Sequence, residues 1–199
     1  GVLSSGVNGL NTTALNLKGF VDSVKVNGGY YIARYEASYG TDGKANSKVS
    51  DAATWAAPTE EGVLWNDVSQ IAAKEASVNL YSTVTSDLMN SYAWDTAIVY
   101  IQNFSGATEY SRQSSSNTGS PTNTGTNSDE KCKINDMSSN MMEWTTEYSN
   151  NVNEEEKLAF PCTYVGGSMW TEHYYTCRRN NIKTDFVDHG ISFRTILYI

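Results

Sequence analysis

A stretch with almost no apolar residues, residues 111–129, limits what this chain can fold into. Its sequence is SRQSSSNTGSPTNTGTNSD, which offers no side chains for building a hydrophobic core. We therefore expect a surface loop or disordered insertion there, with the segments on both sides forming one core. Since the chain has 199 residues, it is long enough for one sizeable domain without a disulfide framework.

The remaining segments are short and of mixed type, which predicts an α+β fold. Apolar residues at helical spacing predict three helices, over residues 14–25, 67–80 and 94–101. Asn66 is the expected N-cap of the second helix, and Ser86 or Ser91 that of the third. Segments rich in aromatic and β-branched residues predict strands over residues 30–36 and 193–199.

The domain boundaries follow from the composition of the N-terminal end. Residues 1–13 are rich in Ser, Gly and Asn and read as a flexible lead-in from a longer parent chain. We expect residues 14–199 to form a single domain that carries the polar insertion at about residues 111–129.

The charge of the chain argues against a nucleic-acid partner. The net charge is −8 and the pI is about 4.7, whereas phosphate backbones are bound by surfaces rich in lysine and arginine. An anionic membrane surface is disfavoured for the same reason. No apolar run is long enough to span a bilayer, so we expect no membrane insertion. Three cysteines, an odd number, exclude a closed set of disulfides.

Two acidic residues flank a polar turn in residues 135–147, whose sequence is NDMSSNMMEWTTE. Asp136 and Glu143, with backbone carbonyls between them, can form an oxygen-rich site for a hard cation such as Ca²⁺. The same acids can instead accept hydrogen bonds from backbone amides of the turn. The pattern alone favours the second interpretation.

Residues 165–194 contain both histidines and Cys177. A cysteine with a histidine can act as a nucleophile and its base, but no third orienting group or nucleophile motif accompanies Cys177, which favours a structural thiol. The segment is rich in Trp, Tyr, His, Arg, Asn and Thr, a composition typical of antibody combining sites. We therefore expect a binding surface. Motifs for nucleotide binding, serine hydrolysis and zinc proteolysis are absent from the sequence.

Four landmarks in chain order resemble domains of the formylglycine-generating-enzyme family. They are GGYYIARYEAS (residues 28–38), the helical residues 86–101, NDMSSNMMEWTTE, and the closing pair VGGSMW and GISFR (residues 165–170 and 190–194). The resemblance covers residues 28–199. It implies the C-type lectin fold of the formylglycine-generating-enzyme variety, with helices around a small, twisted, mostly antiparallel sheet and long loops.

The sequence departs from this family at the copper site. The enzymes hold copper with two cysteines that follow the Gly-Gly-Ser segment, and Thr171 and Thr176 stand at those positions here. Copper(I) requires soft thiolate ligands, which threonine cannot supply. We therefore expect no copper and no catalysis.

The calcium loop of the family carries over better than the copper site. The resemblance implies a structural Ca²⁺ ion with side-chain ligands from Asp136 and Glu143 and main-chain carbonyl ligands from Ser139 and Met141. These are oxygen donors of the kind that Ca²⁺ prefers.

The chain also resembles the variable proteins of diversity-generating retroelements, which use the same fold. Those proteins are similar to phage tail-tip receptor binders and surface-displayed bacterial proteins, and their diversified residues lie between the Gly-Gly-Ser strand and the closing strand. The resemblance implies a non-catalytic domain on a phage tail or a bacterial cell surface that binds a protein or glycan receptor and can oligomerise through its parent protein. The expected ligand contacts are Trp170, Glu172, His173, Tyr174, Tyr175, Arg178, Arg179, Asn180, Asn181, Asp185 and His189.

Two other functions remain open from the sequence. A structural virion domain would use the same C-terminal face as an assembly interface. An oxidase on this fold would need Cys177 to act with His173 or His189.

Overall fold

The computed structural model describes residues 2–3, 16–114, 119–149, 153–170 and 174–198. Its helices are α1 (Leu17–Asn27), α2 (Gln70–Ser77), α3 (Ser91–Phe104) and α4 (Glu154–Ala159), with a 3-10 turn at Tyr110–Arg112. Its strands are β1 (Val2–Leu3), β2 (Tyr31–Ile32), β3 (Ser38–Tyr39), β4 (Ala45–Asn46), β5 (Thr85–Leu88), β6 (Met142–Tyr148), β7 (Cys162–Val165), β8 (Arg179–Ile182), β9 (Ile191–Phe193) and β10 (Thr195–Tyr198). The predicted α+β class is confirmed. No helix in these ranges has the length and hydropathy needed to cross a membrane.

Local capping determines where the helices begin. The side chains of Asn16, Ser69 and Asn90 accept hydrogen bonds from the first turns of α1, α2 and α3, which satisfies amide groups that the helix itself leaves unpaired. The N-caps expected from the sequence were therefore wrong. Asn66 lies before the start of α2, and Ser86 belongs to strand β5. Helix α4, which has a capping box, was not predicted.

The main sheet is built around β6, the longest strand. β6 pairs antiparallel with β7 and β1 and parallel with β9, and β7 pairs antiparallel with β8. Six of its seven residues are buried, so β6 is covered on both faces. A second sheet has the order β2-β10-β5, and β3 pairs with β4.

Two of the predicted strands differ from those observed. Residues 193–199 were expected to form one strand, but they divide between β9 of the main sheet and β10 of the second sheet. In residues 30–36, only Tyr31–Ile32 forms a strand. The next residue, Ala33, still donates to the Thr195 carbonyl of β10 at 2.9 Å, but the regular pairing with β10 ends there. Of the predicted lead-in, residues 2–3 pair with β6 as β1, and the rest of residues 1–13 lies outside the described residues.

Two buried tryptophans tie distant segments to the core. The indole N–H of Trp94 in α3 donates to the carbonyl of Thr176 at 2.9 Å, and that of Trp144 in β6 donates to the carbonyl of Val68 at 2.7 Å. Both side chains have no solvent exposure, and the two hydrogen bonds satisfy their only polar group. The first bond fixes the middle of the C-terminal segment against α3.

Part of the polar segment, within residues 119–129, contributes to the interior. Thr124 is fully buried and exchanges two hydrogen bonds of 3.0 Å with Ser50. Asp129 is also buried. The expectation of a surface loop without interior contacts is wrong for these two residues, because polar side chains can be buried when their hydrogen bonds are made.

A buried ion pair joins the two sheets. Arg194, between β9 and β10, donates from Nε to Glu143 Oε2 at 2.6 Å and from a second nitrogen to Glu143 Oε1. It also donates to the carbonyls of Ala33, at 3.2 Å, and Asn135, at 3.0 Å. The side chains of Arg194 and Glu143 are 0% and 1% exposed. Arg194 therefore serves the structure.

Replacement of Glu143 by glutamine tests this ion pair. The Glu143→Gln substitution leaves the Arg194 charge buried without its partner, so we expect the free energy of unfolding to fall by about 3–5 kcal/mol in urea denaturation. Asp22→Asn makes the same acid-to-amide change in the exposed Lys18–Asp22 pair, and we expect no measurable loss there. Equal losses in the two variants would contradict the role given to the pair.

Candidate ligand-binding site

Carboxylates fix the loop of residues 135–141, which precedes β6. Glu36 accepts hydrogen bonds from the Met141 N–H, at 2.9 Å, and from the Asn140 side chain, at 2.5 Å. Asp136 accepts from the Gly125 N–H at 2.6 Å, and Asp129 accepts from the Ser138 N–H at 2.9 Å. The loop is thus held from three directions by acids that satisfy backbone and amide donors.

The acids around this loop are deeply buried, which disfavours their charged forms. Burial raises the pKa of Glu36 well above its ordinary value, the charges of Asp136 and Glu143 raise it further, and Arg194 lowers it. Burial also raises the pKa of Asp136, against a hydrogen bond from Gly125, and the pKa of Glu143, against the charge of Arg194. One arginine therefore faces several carboxyl groups in this part of the interior.

The predicted calcium ligands lie on this loop and in the adjoining strand β6, but as placed they do not fit a calcium site. Both oxygens of Glu143 accept from Arg194. The two oxygens of Asp136 accept from Gly125 and, at 3.4 Å, from Asn127. Within the described ranges, no group of three or more His, Cys, Asp or Glu side chains is arranged to hold a metal ion. Calcium at Asp136, Glu143 and the carbonyls of Ser139 and Met141 stays a prediction.

The loop positions the start of the C-terminal segment through two glycines. A Cβ atom on Gly167 would lie 2.1 Å from the carbonyl carbon of Ser138, and Gly166 has a φ of +94°. Only glycine allows this close approach. The N–H of Gly167 donates to Met137 at 3.1 Å, and the N–H of Met169 donates to Asn140 at 2.7 Å. The sequence Gly-Gly-Ser therefore marks the contact between loop and segment.

Three aromatic side chains form a cluster at the surface beyond this contact. Trp55 and Trp170 stack with ring centroids 6.0 Å apart, and His189 meets them edge-on at 4.9 and 5.3 Å. Trp55 is 43% exposed and Trp170 is 37% exposed. Gly190 makes room for the ring, since a Cβ there would lie 2.0 Å from Trp170. We call Trp55, Trp170 and His189 the aromatic cluster.

The sequence analysis missed Trp55, although it identified the other two members of the aromatic cluster. Buried Asn66 brings the two loops together, because its side-chain amide donates to the carbonyls of Thr54 at 2.8 Å and His189 at 3.0 Å. The sequence offered one signal for Trp55. It lies in an irregular segment near Pro58, where no strand or helix periodicity accounts for a tryptophan.

The other expected contacts follow in and around β8. The guanidinium carbon of Arg178 lies 4.0 Å from the ring centroid of Tyr174, a cation–π geometry, and its Nε donates to Asn180 Oδ1 at 3.3 Å. Asn181 Oδ1 accepts from Thr163. All four residues of β8 are partly exposed, so this strand has no fully buried face.

The adjacent residues Tyr174 and Tyr175, which precede β8, differ in their exposure to solvent. Tyr174 packs partly against the core, whereas Tyr175 is 43% exposed. Asp185 is exposed as well. Glu172 and His173, which were also predicted as contacts, lie outside the described residues.

Arg179 was expected to contact ligand, but its side chain serves the structure. Its Nε donates to Glu147 Oε2 at 2.7 Å, and another nitrogen donates to both carboxylate oxygens of Asp95 at 2.9 Å. Glu147 is only 6% exposed and also accepts from Ser91. The guanidinium therefore joins β8, β6 and α3, and contact of Arg179 with a ligand stays a prediction.

The three cysteines form no disulfide. Cys132, Cys162 and Cys177 are all free thiols. Burial raises the pKa of the Cys162 thiol to about 12, with the charge of Asp185 adding to the shift, so this sulfur stays protonated at neutral pH. At one of the positions where the resemblance expects a copper ligand, the Thr176 hydroxyl donates to the Gln113 carbonyl at 3.0 Å.

No model of a known protein family matches the chain, and no curated protein matches it. The solved structures similar to it include CarF and PvdO. CarF has a TM-score of 0.60 and 17% identity, over 85% of this chain and 86% of that chain. PvdO from Pseudomonas aeruginosa has a TM-score of 0.54 and 13% identity, over 93% of this chain and 78% of that chain. At these identities the similarity establishes a shared fold and does not extend to activity.

The adjacent arginines Arg178 and Arg179 allow a matched test of these assignments. Arg179→Gln leaves buried Glu147 without its cation, so we expect the free energy of unfolding to fall by about 1–3 kcal/mol. Arg178→Gln removes a cation–π contact at the surface, for which we expect a loss of about 0.5–1 kcal/mol. Urea denaturation measures both. A larger loss for Arg178→Gln than for Arg179→Gln would reverse the assignment.

Proposed function

We propose that this chain is a non-catalytic ligand-binding domain with the C-type lectin fold of the formylglycine-generating-enzyme variety. Its binding face comprises the aromatic cluster together with Tyr174, Tyr175, Arg178, Asn180 and Asp185. The ligand is a protein or glycan receptor. Aromatic and short polar side chains suit such a ligand, because they combine rigid apolar area with adaptable hydrogen bonding.

The proposal rests on one observation. After Gly167, buried positions alternate along the chain with positions that solvent can reach. Met169, Thr176 and Gly190 are buried, and Thr176 is held by Trp94 and Gln113. Between them, Trp170 and Tyr175 reach the solvent. Side chains at the accessible positions can change without loss of the anchors, as a binding surface of adjustable specificity requires.

The chemistry of the segment supports binding over catalysis. The family oxidase needs two thiolates for copper, and its ligand positions carry Thr171 and Thr176. His189, one of the two histidines that an alternative catalytic arrangement with Cys177 would use, packs against two tryptophan rings. We therefore assign it to the binding face.

The resemblance to retroelement variable proteins extends the proposal to diversification and location. Residues 169–188 are rich in the amino acids that adenine mutagenesis of Asn codons yields. A diversified receptor binder belongs on a phage tail or on a bacterial cell surface. A fixed assembly interface in a virion is the alternative, and it would bury the same face in an oligomer.

The gene locus of the parent protein tests the proposal. We expect a reverse-transcriptase gene and a near-copy of the segment encoding residues 169–194 that differs at adenines. Related copies should vary at accessible Tyr175, Arg178 and Asn180, because these side chains are not needed by the core.

The buried positions of the same segment provide the internal control. Thr176 and Gly190 should not vary, since the buried Thr176 hydroxyl donates to the Gln113 carbonyl and a Cβ at Gly190 would collide with Trp170. Variation that is equally frequent at buried and accessible positions would contradict the proposal. Absence of both the transcriptase and the near-copy would leave a binder of fixed specificity.

Chelation tests the structural Ca²⁺ ion that the family resemblance implies. With Arg194 as the partner of Glu143, we expect the melting temperature to stay unchanged when a chelator removes divalent ions. A fall of several degrees that added Ca²⁺ reverses would establish the site at Asp136 and Glu143, because a ligand that binds only the folded state raises its stability.

A further inference from the structure

A groove of about 410 Å³ lies between β2 and α3, and none of the expected ligand contacts lines it. This volume falls within the range of small-molecule sites. Tyr30, Ile32, Tyr100 and Ile134 contribute apolar walls. Tyr31 and Tyr100, which also line the groove, are 62% and 51% exposed. Large aromatic side chains left in solvent around a groove are typical of an interaction site.

Two cationic side chains, Arg34 and Lys133, line the same groove. Both are close enough to Glu130 to lower its pKa, Lys133 through a hydrogen bond and Arg34 through its charge. The contact between Lys133 and Glu130 is an exposed pair of 2.9 Å, and Arg34 takes part in none of the ion pairs within the described ranges. On a chain with a net charge of −8, this is a local concentration of positive charge beside an apolar groove.

A strained turn carries the second cation to the groove. Lys131 and Ile134 exchange two backbone hydrogen bonds of 2.9 Å, so Cys132 and Lys133 form a two-residue turn. Both have left-handed backbones, with φ of 53° and 67°, in a turn that usually takes Asn and Gly. Such strain persists where the surrounding structure requires it, often at ligand sites. The turn places the Cys132 thiol and Lys133 in the lining of the groove.

We propose that this groove is a second binding site, for a small carboxylic acid with an apolar acyl body. The acyl body packs against the tyrosine-lined wall, and the carboxylate meets Arg34 and Lys133. A small anion fits this site better than a polyanion does, because the attraction comes from two groups only, and the acidic remainder of the surface repels an extended phosphate backbone. The inference does not depend on the function proposed for the C-terminal face.

Calorimetric titration with decanoate below its micellar concentration tests the proposal. Decyltrimethylammonium, with the same chain and the opposite charge, is the control ligand. We expect decanoate to bind at least ten times more tightly. Equal binding of decanoate and decyltrimethylammonium would mean that the groove adsorbs apolar chains without recognising the carboxylate, which would contradict the proposal. No binding of decanoate would overturn it as well.

Lys131 and Lys133, which lie in the same turn, provide a matched pair of variants. Lys133→Gln should weaken decanoate binding about threefold, whereas Lys131→Gln should not change it, because Lys131 does not line the groove. Arg34→Gln should weaken it about tenfold. Glu130→Gln should strengthen binding, since it removes the acid that now shares Lys133. The same effect from both lysine variants would contradict the placement of the carboxylate.

Protection of a thiol locates the ligand independently of its affinity. Cys162 is buried, so in a Cys177→Ser variant Cys132 is the accessible thiol. Decanoate at saturation should slow alkylation of Cys132 by iodoacetamide at least fivefold, and decyltrimethylammonium at the same concentration should not. An unchanged alkylation rate with bound decanoate would place the ligand elsewhere and overturn the assignment of this groove.

Discussion

The buried ion pair of Glu143 and Arg194 is the constraint that links the parts of this structure. Glu143 lies in the central strand β6, and Arg194 lies where the chain leaves the main sheet for the second sheet. The same guanidinium reaches the carbonyl of Asn135, at the start of the loop that Glu36 and Asp136 hold. Because an unpartnered buried charge costs several kcal/mol, sheet, loop and closing strand must be assembled together for any of them to be stable.

The proposed binding face depends on this frame without sharing its side chains. The loop of residues 135–141 contacts Gly167, which directs the C-terminal segment towards Trp55 and α3. Along the segment, anchors alternate with accessible residues. Arg178 and Arg179 are the sharpest example, since one lies over an aromatic ring at the surface and the other neutralises buried Glu147. A change of specificity can then be made without disturbing the fold.

The sequence predicted the fold class, and its errors have physical causes. Helices were predicted from apolar spacing, but their starts depend on which polar side chain actually caps the first turn. Only two residues of the predicted strand 30–36 form a strand, because the regular pairing with β10 ends after Ile32. The ion pairs of Arg179 were not predicted, because its partners Asp95 and Glu147 lie 84 and 32 residues away in the chain. Trp55 was missed because only the folded chain brings it to Trp170.

In this structure a frame of buried charges supports a surface whose exposed side chains can be replaced without loss of the fold. This claim is tested most directly by replacing Tyr175, Arg178, Asn180 and Asp185 together with serine and measuring the thermal unfolding and the near-ultraviolet circular dichroism of the variant. We expect cooperative unfolding with a melting temperature within a few degrees of that of the parent protein, and an unchanged aromatic spectrum. Loss of cooperative unfolding, or of the aromatic signal, would mean that these residues belong to the frame and would contradict the account.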